Sequence, residues 1–113
     1  MGLIVATTKR KQSHTERLAQ EAWIGDAVLS LYARLKILRE DQMLDGEKCI
    51  RMTSNQFLNS VGEPTAVEAE VGRAFERDGL HAAFAWIEEH LVPIFERQES
   101  NRIKKARRPE PSA

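Results

Sequence analysis

Two carboxylates stand where apolar helices ordinarily carry none. Asp26 interrupts the aliphatic run EAWIGDAVLSLY, residues 21–32. In EPTAVEAEVGRAFERDG, residues 63–79, Glu68 stands at the edge of the stripe formed by Val67, Val71, Ala74 and Phe75. At about 100° per residue Asp26 falls among Ala19, Ala22, Ser30, Ala33 and Ile37, mostly small side chains that let another element come close. Glu68 lies one turn before Gly72 and also points toward a close helix–helix contact. A buried carboxylate is costly unless it is paired, hydrogen-bonded or bound to metal. A hydrogen bond to a neighbouring helix satisfies that demand for Asp26 alone. Two acids on facing helices can instead share a hard divalent cation, with Mg²⁺ keeping several waters for a phosphate substrate.

The elements that must position these acids are helices. Ser13 and Glu16 have the spacing of a capping box, and a helix is expected from about residue 14 to 39. Leu18, Ala22, Gly25, Leu29 and Tyr32 form one stripe and Ile24, Val28, Leu31, Leu35 and Leu38 cover the adjoining side, so this helix is expected inside the core. REDQMLDGEK breaks the pattern with charge and an Asp-Gly pair, after which KCIRMTSNQFLNSVG reads as one shorter helix ending near Gly62. Pro64 opens the next, which stops at Asp78-Gly79. LHAAFAWIEEHLVPIFERQ reads as the last helix, kinked at Pro93, and NRIKKARRPEPSA beyond Ser100 as a frayed basic tail. No stretch alternates like a strand. The expected architecture is all-α: a compact helical domain over 13–100 between a basic arm, 1–12, and a basic tail, 101–113.

With 113 residues and 42% hydrophobic content, the chain fits one modest core, near the size where a partner subunit helps stability. The single Cys49 cannot form an internal disulfide. No signal-like tract and no apolar run of membrane-spanning length is present, so a cytoplasmic protein with no membrane partner is expected. His14, His81 and His90 lack zinc-site spacing with Cys49, and no glycine-rich loop follows a strand to hold nucleotide phosphates. The net charge of zero hides a segregation. Residues 1–17 carry four Lys/Arg against one acid, residues 101–113 five against one, and residues 18–100 eight against fifteen. KRK at 9–11 and RIKKARR at 102–108, with Lys104 and Lys105 as candidate substrate contacts, either follow a phosphate backbone or are solvated chain ends.

WIGDAVLSLYAR at 23–34 resembles the signature helix of the ribonuclease III endonuclease domain. TSNQFLNSVG at 53–62 is similar to the family's Val-Ser-Asn-Lys-x-Leu block. TAVEAEVGRAFERDGLHAAFAWIEEHLVPIF at 65–95 is similar to its third block, with Glu-Ala, a glycine four residues after the Glu, an Asp-Gly turn and a closing helix in that order. The three blocks stand in the family order over residues 18–95. The resemblance implies a compact ribonuclease III-like helical fold, a homodimer, and Asp26 and Glu68 as the catalytic, metal-binding acids. It implies Mg²⁺, or Mn²⁺ in its place, and attack of water on double-stranded or structured RNA, leaving 5′-phosphate and 3′-hydroxyl ends in the course of RNA maturation. Trp23 matches an aromatic or apolar position that inserts into a partner subunit, and a core Trp is the alternative. Ser54 and Asn55 match positions that can line the substrate site, although a Ser-Asn pair in a helix also makes local backbone contacts.

Three departures bear on activity. Ala22 stands where the long bacterial enzymes carry a glutamate, with Glu21 one residue off; Thr65 replaces an aspartate and Gln56 a lysine. A helix turns about 100° per residue, so Glu21 cannot simply take the place of residue 22. The Mini-ribonuclease III branch, which has no double-stranded-RNA-binding domain, is similar at the first two places. The segment through which that branch is expected to grip RNA, between the first helix and Pro64, is short here, and the basic termini are the expected substitute. The competing expectation is a non-catalytic relative that keeps the fold for dimerisation or for binding RNA or a ribonucleoprotein.

Overall fold

The computed structural model describes residues 11–107. Among these the chain forms helices α1 (His14–Asp41), α2 (Gly46–Thr53), α3 (Asn55–Leu58), α4 (Pro64–Asp78), α5 (Leu80–His90) and α6 (Val92–Arg107), and no strand. The all-α expectation holds. The start of α1 is the capping box read from the sequence: Ser13 Oγ accepts the Glu16 N–H at 3.0 Å and the Glu16 carboxylate accepts the Ser13 N–H at 3.1 Å. Gln42, at φ 58°, ends the helix by donating its N–H to the Leu38 carbonyl.

Four boundaries differ from the expectation. KCIRMTSNQFLNSVG is two helices, because Ser54 is extended and its hydroxyl accepts the Phe57 N–H at 3.1 Å, capping α3 where α2 would otherwise continue. Asp45 caps α2 by accepting the Lys48 N–H rather than making a free turn. The last helix is divided at Leu91, since Pro93 has no N–H to offer the Glu89 carbonyl and sits instead in the first turn of α6. Beyond Ser100 the chain is helical through Arg107, not frayed. Residues 94–108 contain no glycine or proline, and Lys104, Lys105 and Arg107 place positive charge at the negative end of the helix dipole. Helix α6 therefore crosses the expected boundary at residues 100 and 101.

Helix α4 is the main partner of α1, α5 packs on both, and α6 follows on α5. The core joins Val28, Leu29, Tyr32 and Ala33 of α1 to Val67, Val71 and Ala74 of α4, Met52, Phe57 and Leu58 of α2 and α3, Ala83 and Ile87 of α5, and Leu91 and Phe95. Rings meet edge to face at 5.1 Å for Tyr32 and Phe84 and at 5.5 Å for Phe57 and Phe95. Contrary to the expectation of a surrounded core helix, α1 is covered on one side only. Trp23, Leu31, Leu35 and Leu38 are exposed, because the other helices pack on the opposite face. No described helix is long and apolar enough to cross a membrane.

Ion pairs fasten α6 at its root. Lys36, only 5% exposed, meets Glu40 at 2.8 Å and Glu96 at 2.9 Å, and Arg51 holds both oxygens of Glu99 at 2.8 and 2.9 Å.

Candidate metal centre

Helices α1 and α4 cross at two glycines. A Cβ on Gly25 would overlap the Glu68 carbonyl and stand 2.9 Å from the Gly72 nitrogen. A Cβ on Gly72 would overlap the Glu21 carbonyl and stand 3.0 Å from the Gly25 nitrogen. The two backbones therefore touch, which only glycine permits. Asp26 follows Gly25 and Glu68 precedes Gly72 by one turn, so the crossing brings their carboxyl groups into hydrogen-bonding range. Asp26 lies at the exposed rim and Glu68 is half-buried.

That proximity perturbs Glu68. Burial, the hydrogen bond to Asp26, the Asp26 charge and the more distant Glu63 together push its carboxyl up to about 7. Glu68 thus keeps its proton to near neutrality unless a cation compensates its charge. Glu63 contributes from the N-terminus of α4, where its carboxylate accepts the Thr65 N–H at 2.9 Å and the Ala66 N–H at 3.1 Å.

Among the described residues no three His, Cys, Asp or Glu side chains form a metal-ligand group, so the donor set here is a pair of carboxylates. This suits Mg²⁺ or Mn²⁺, hard ions that take oxygen ligands; Mg²⁺ fills much of its shell with water and substrate oxygens. Glu21 is not part of the pair. It accepts from Arg73 of α4 at 2.9 Å, and Arg73 also holds Glu70; this hydrogen bond lowers the Glu21 carboxyl below its ordinary value.

The other sequence candidates lie elsewhere. Trp23 is 79% exposed on α1 and is not a core residue. Ser54 spends its hydroxyl on the α3 cap and on the Arg51 carbonyl, and lines a cleft of about 360 Å³ with Arg51, Phe57, Phe95 and Glu99. Asn55 is exposed at the first position of α3, and no hydrogen bond joins either residue to Asp26 or Glu68 among the described residues. Lys104 and Lys105 are exposed on α6. Residues 1–10 of the basic arm and 108–113 of the tail lie outside the described residues. Sequence reasoning missed Glu63 and Arg73. Glu63 was legible as the acid preceding Pro64 at a helix start; Arg73 carried no signal, because its partner is 52 positions away. Compared with known protein families, with curated proteins and with solved structures, the chain has no match in any of the three.

Proposed function

We propose that this chain is a homodimeric, metal-dependent endoribonuclease of ribonuclease III type, acting on double-stranded or structured RNA. The observation that carries the reading is the meeting of Asp26 and Glu68 at the Gly25–Gly72 crossing. The sequence spends two glycines to bring two like charges together, an arrangement that costs stability and that a bound cation would compensate.

Asp26 and Glu68 are the residues that would hold Mg²⁺ or Mn²⁺, which when bound activates water and offsets charge on a phosphodiester. Asp26, at the exposed rim, presents its oxygens to solvent and substrate. Glu68, fixed against the α1 backbone, holds its proton up to about pH 7 and gives it up above that. The expected products carry 5′-phosphate and 3′-hydroxyl ends.

The dimer reading rests on the uncovered side of α1. Trp23, Leu31 and Leu38 continue into Leu44 and Ile50, and a groove of about 490 Å³ is lined by Ser30, Ile37, Leu38, Leu44, Cys49 and Ile50. In a homodimer the exposed Trp23 of each subunit would seat in the groove of the other, a reciprocal contact of the kind an isologous interface makes.

The test is incubation with long double-stranded RNA and Mg²⁺ or Mn²⁺, beside Asp26→Asn and Glu68→Gln. Cleavage by the wild type and loss of at least a hundredfold in each variant is expected. A wild type as inert as both variants, all folded and dimeric, rejects the nuclease in favour of a non-catalytic dimerisation or RNA-binding module. That alternative draws on the donor set of only two carboxylates and on Glu21 being held by Arg73.

A further inference from the structure

Around its axis α6 has two electrically opposite sides. Glu96 and Glu99 face the body, on Lys36 and Arg51, and Phe95 is buried there. At about 100° per residue, Arg97, Lys104 and Lys105 fall within an arc of about 100° turned away from both acids and from Phe95. All three are exposed and form no ion pair among the described residues. The acids of α6 are thus used in attachment, and Arg97, Lys104 and Lys105 are gathered on the outer face, while Arg102 pairs with Glu99 and Arg107 falls on the side of Glu96.

We propose that this outer face, through Arg97, Lys104 and Lys105, docks the backbone phosphates of a double-stranded RNA, and that the Lys36–Glu96 and Arg51–Glu99 pairs set its direction. The choice of RNA rests on the nuclease reading above; the choice of duplex rests on the face itself. Residues 18–100 carry eight cations against fifteen acids and repel a polyanion, so a duplex needs an unpaired basic surface on which to land. Proteins that hold single strands offer aromatic rings for base stacking, and this face has none. A membrane-surface helix needs an apolar stripe to insert, whereas Arg97, Asn101, Lys104 and Lys105 are all polar and the exposed Ile103 lies on another side. What remains is recognition of backbone charge and shape. The root of α6 at Lys36 is ten residues of α1 from Asp26, a rise of about 15 Å along that helix.

The experiment measures binding of the full chain to a blunt RNA duplex in EDTA, where cleavage does not interfere, over a series of salt concentrations. The triple variant Arg97→Ala/Lys104→Ala/Lys105→Ala is expected to weaken binding by about tenfold or more and to flatten the log–log salt slope by about 2 to 3. Arg77→Ala, an exposed cation on α4, should leave both unchanged. Unchanged affinity and slope in the triple variant overturn the proposal, as does tighter binding of the wild type to phosphatidylserine vesicles than to duplex when the triple variant loses it. The two readings fail separately. Duplex binding through α6 without Mg²⁺-dependent cleavage removes the nuclease and keeps the surface; cleavage with a triple variant that binds normally removes the surface and keeps the nuclease.

Discussion

Gly25 of α1 and Gly72 of α4 lie against each other with no side chain between them, and a Cβ on either would enter the other helix's backbone. This contact sets the separation of Asp26 and Glu68. Gly25→Ala and Gly72→Ala should each destabilise the fold by about 2 to 4 kcal/mol, because backbone atoms cannot swing aside as a flexible side chain can. Thermal melts followed by circular dichroism should show the loss. A melting temperature within a degree of wild type for either variant would contradict the close crossing.

Glu68 makes stability depend on pH. Its folded carboxyl titrates at about 7 against 4.5 when free, so the folded state holds the proton more tightly than the unfolded state. Metal-free protein is therefore more stable at pH 5 than at pH 8, and the loss accumulates as pH rises from about 4.5 to about 7. At about 1.4 kcal/mol per pH unit the ceiling is about 3 kcal/mol, and solvent screening of a half-buried pair brings the expected loss to roughly 1 to 2 kcal/mol. Urea denaturation in EDTA at both pH values reads this directly. Glu68→Gln should flatten the profile, and Mg²⁺ should restore wild-type stability chiefly at pH 8.

Glu21 and Arg73 form a structural pair beside the centre. Glu21→Gln should cost about 0.2 to 1 kcal/mol, as partly exposed ion pairs do. Because Arg73 depresses the Glu21 carboxyl, that contribution is present above pH 4.5 and lost as the medium becomes more acidic. Cleavage should survive Glu21→Gln within about threefold, a difference of less than about 1 kcal/mol in the barrier. A loss as large as that of Asp26→Asn would place Glu21 in the chemistry after all.

Trp23 separates association from folding. At 79% exposure it adds little to the fold of a single chain, so Trp23→Ala should leave denaturation of dilute protein within about 0.5 kcal/mol of wild type. The same change should weaken self-association by about tenfold to a hundredfold, the range for a buried aromatic anchor. Sedimentation equilibrium measures this; an unaltered dimer constant would move the interface elsewhere.

Much of this protein is legible in its sequence because the relevant forces are local. The Ser13–Glu16 box, Pro64 at the start of α4 and Gly79, with φ 94°, at its end use backbone chemistry set within three or four residues. The stripes of α1 and α4 marked Gly25, Asp26, Glu68 and Gly72 as residues on approaching faces. Local reasoning failed where two tendencies competed. Ser54 favoured a cap over helix continuation, and the helix formers of residues 101–107 outweighed the polarity that had read as a frayed tail.

Only the tertiary structure decided which apolar side of α1 is covered, since both sides read alike and the number of helices available to pack on them is a property of the whole chain. It also decided that Glu21 belongs to Arg73 and that Glu68 meets Asp26, with the raised carboxyl that follows. The acids of α6 turn inward to Lys36 and Arg51 while Arg97, Lys104 and Lys105 face out for the same reason. Composition and periodicity determine which residues lie on a helix and in which direction each points. Which charge finds which partner depends on contacts between residues tens of positions apart, and folding alone brings those together.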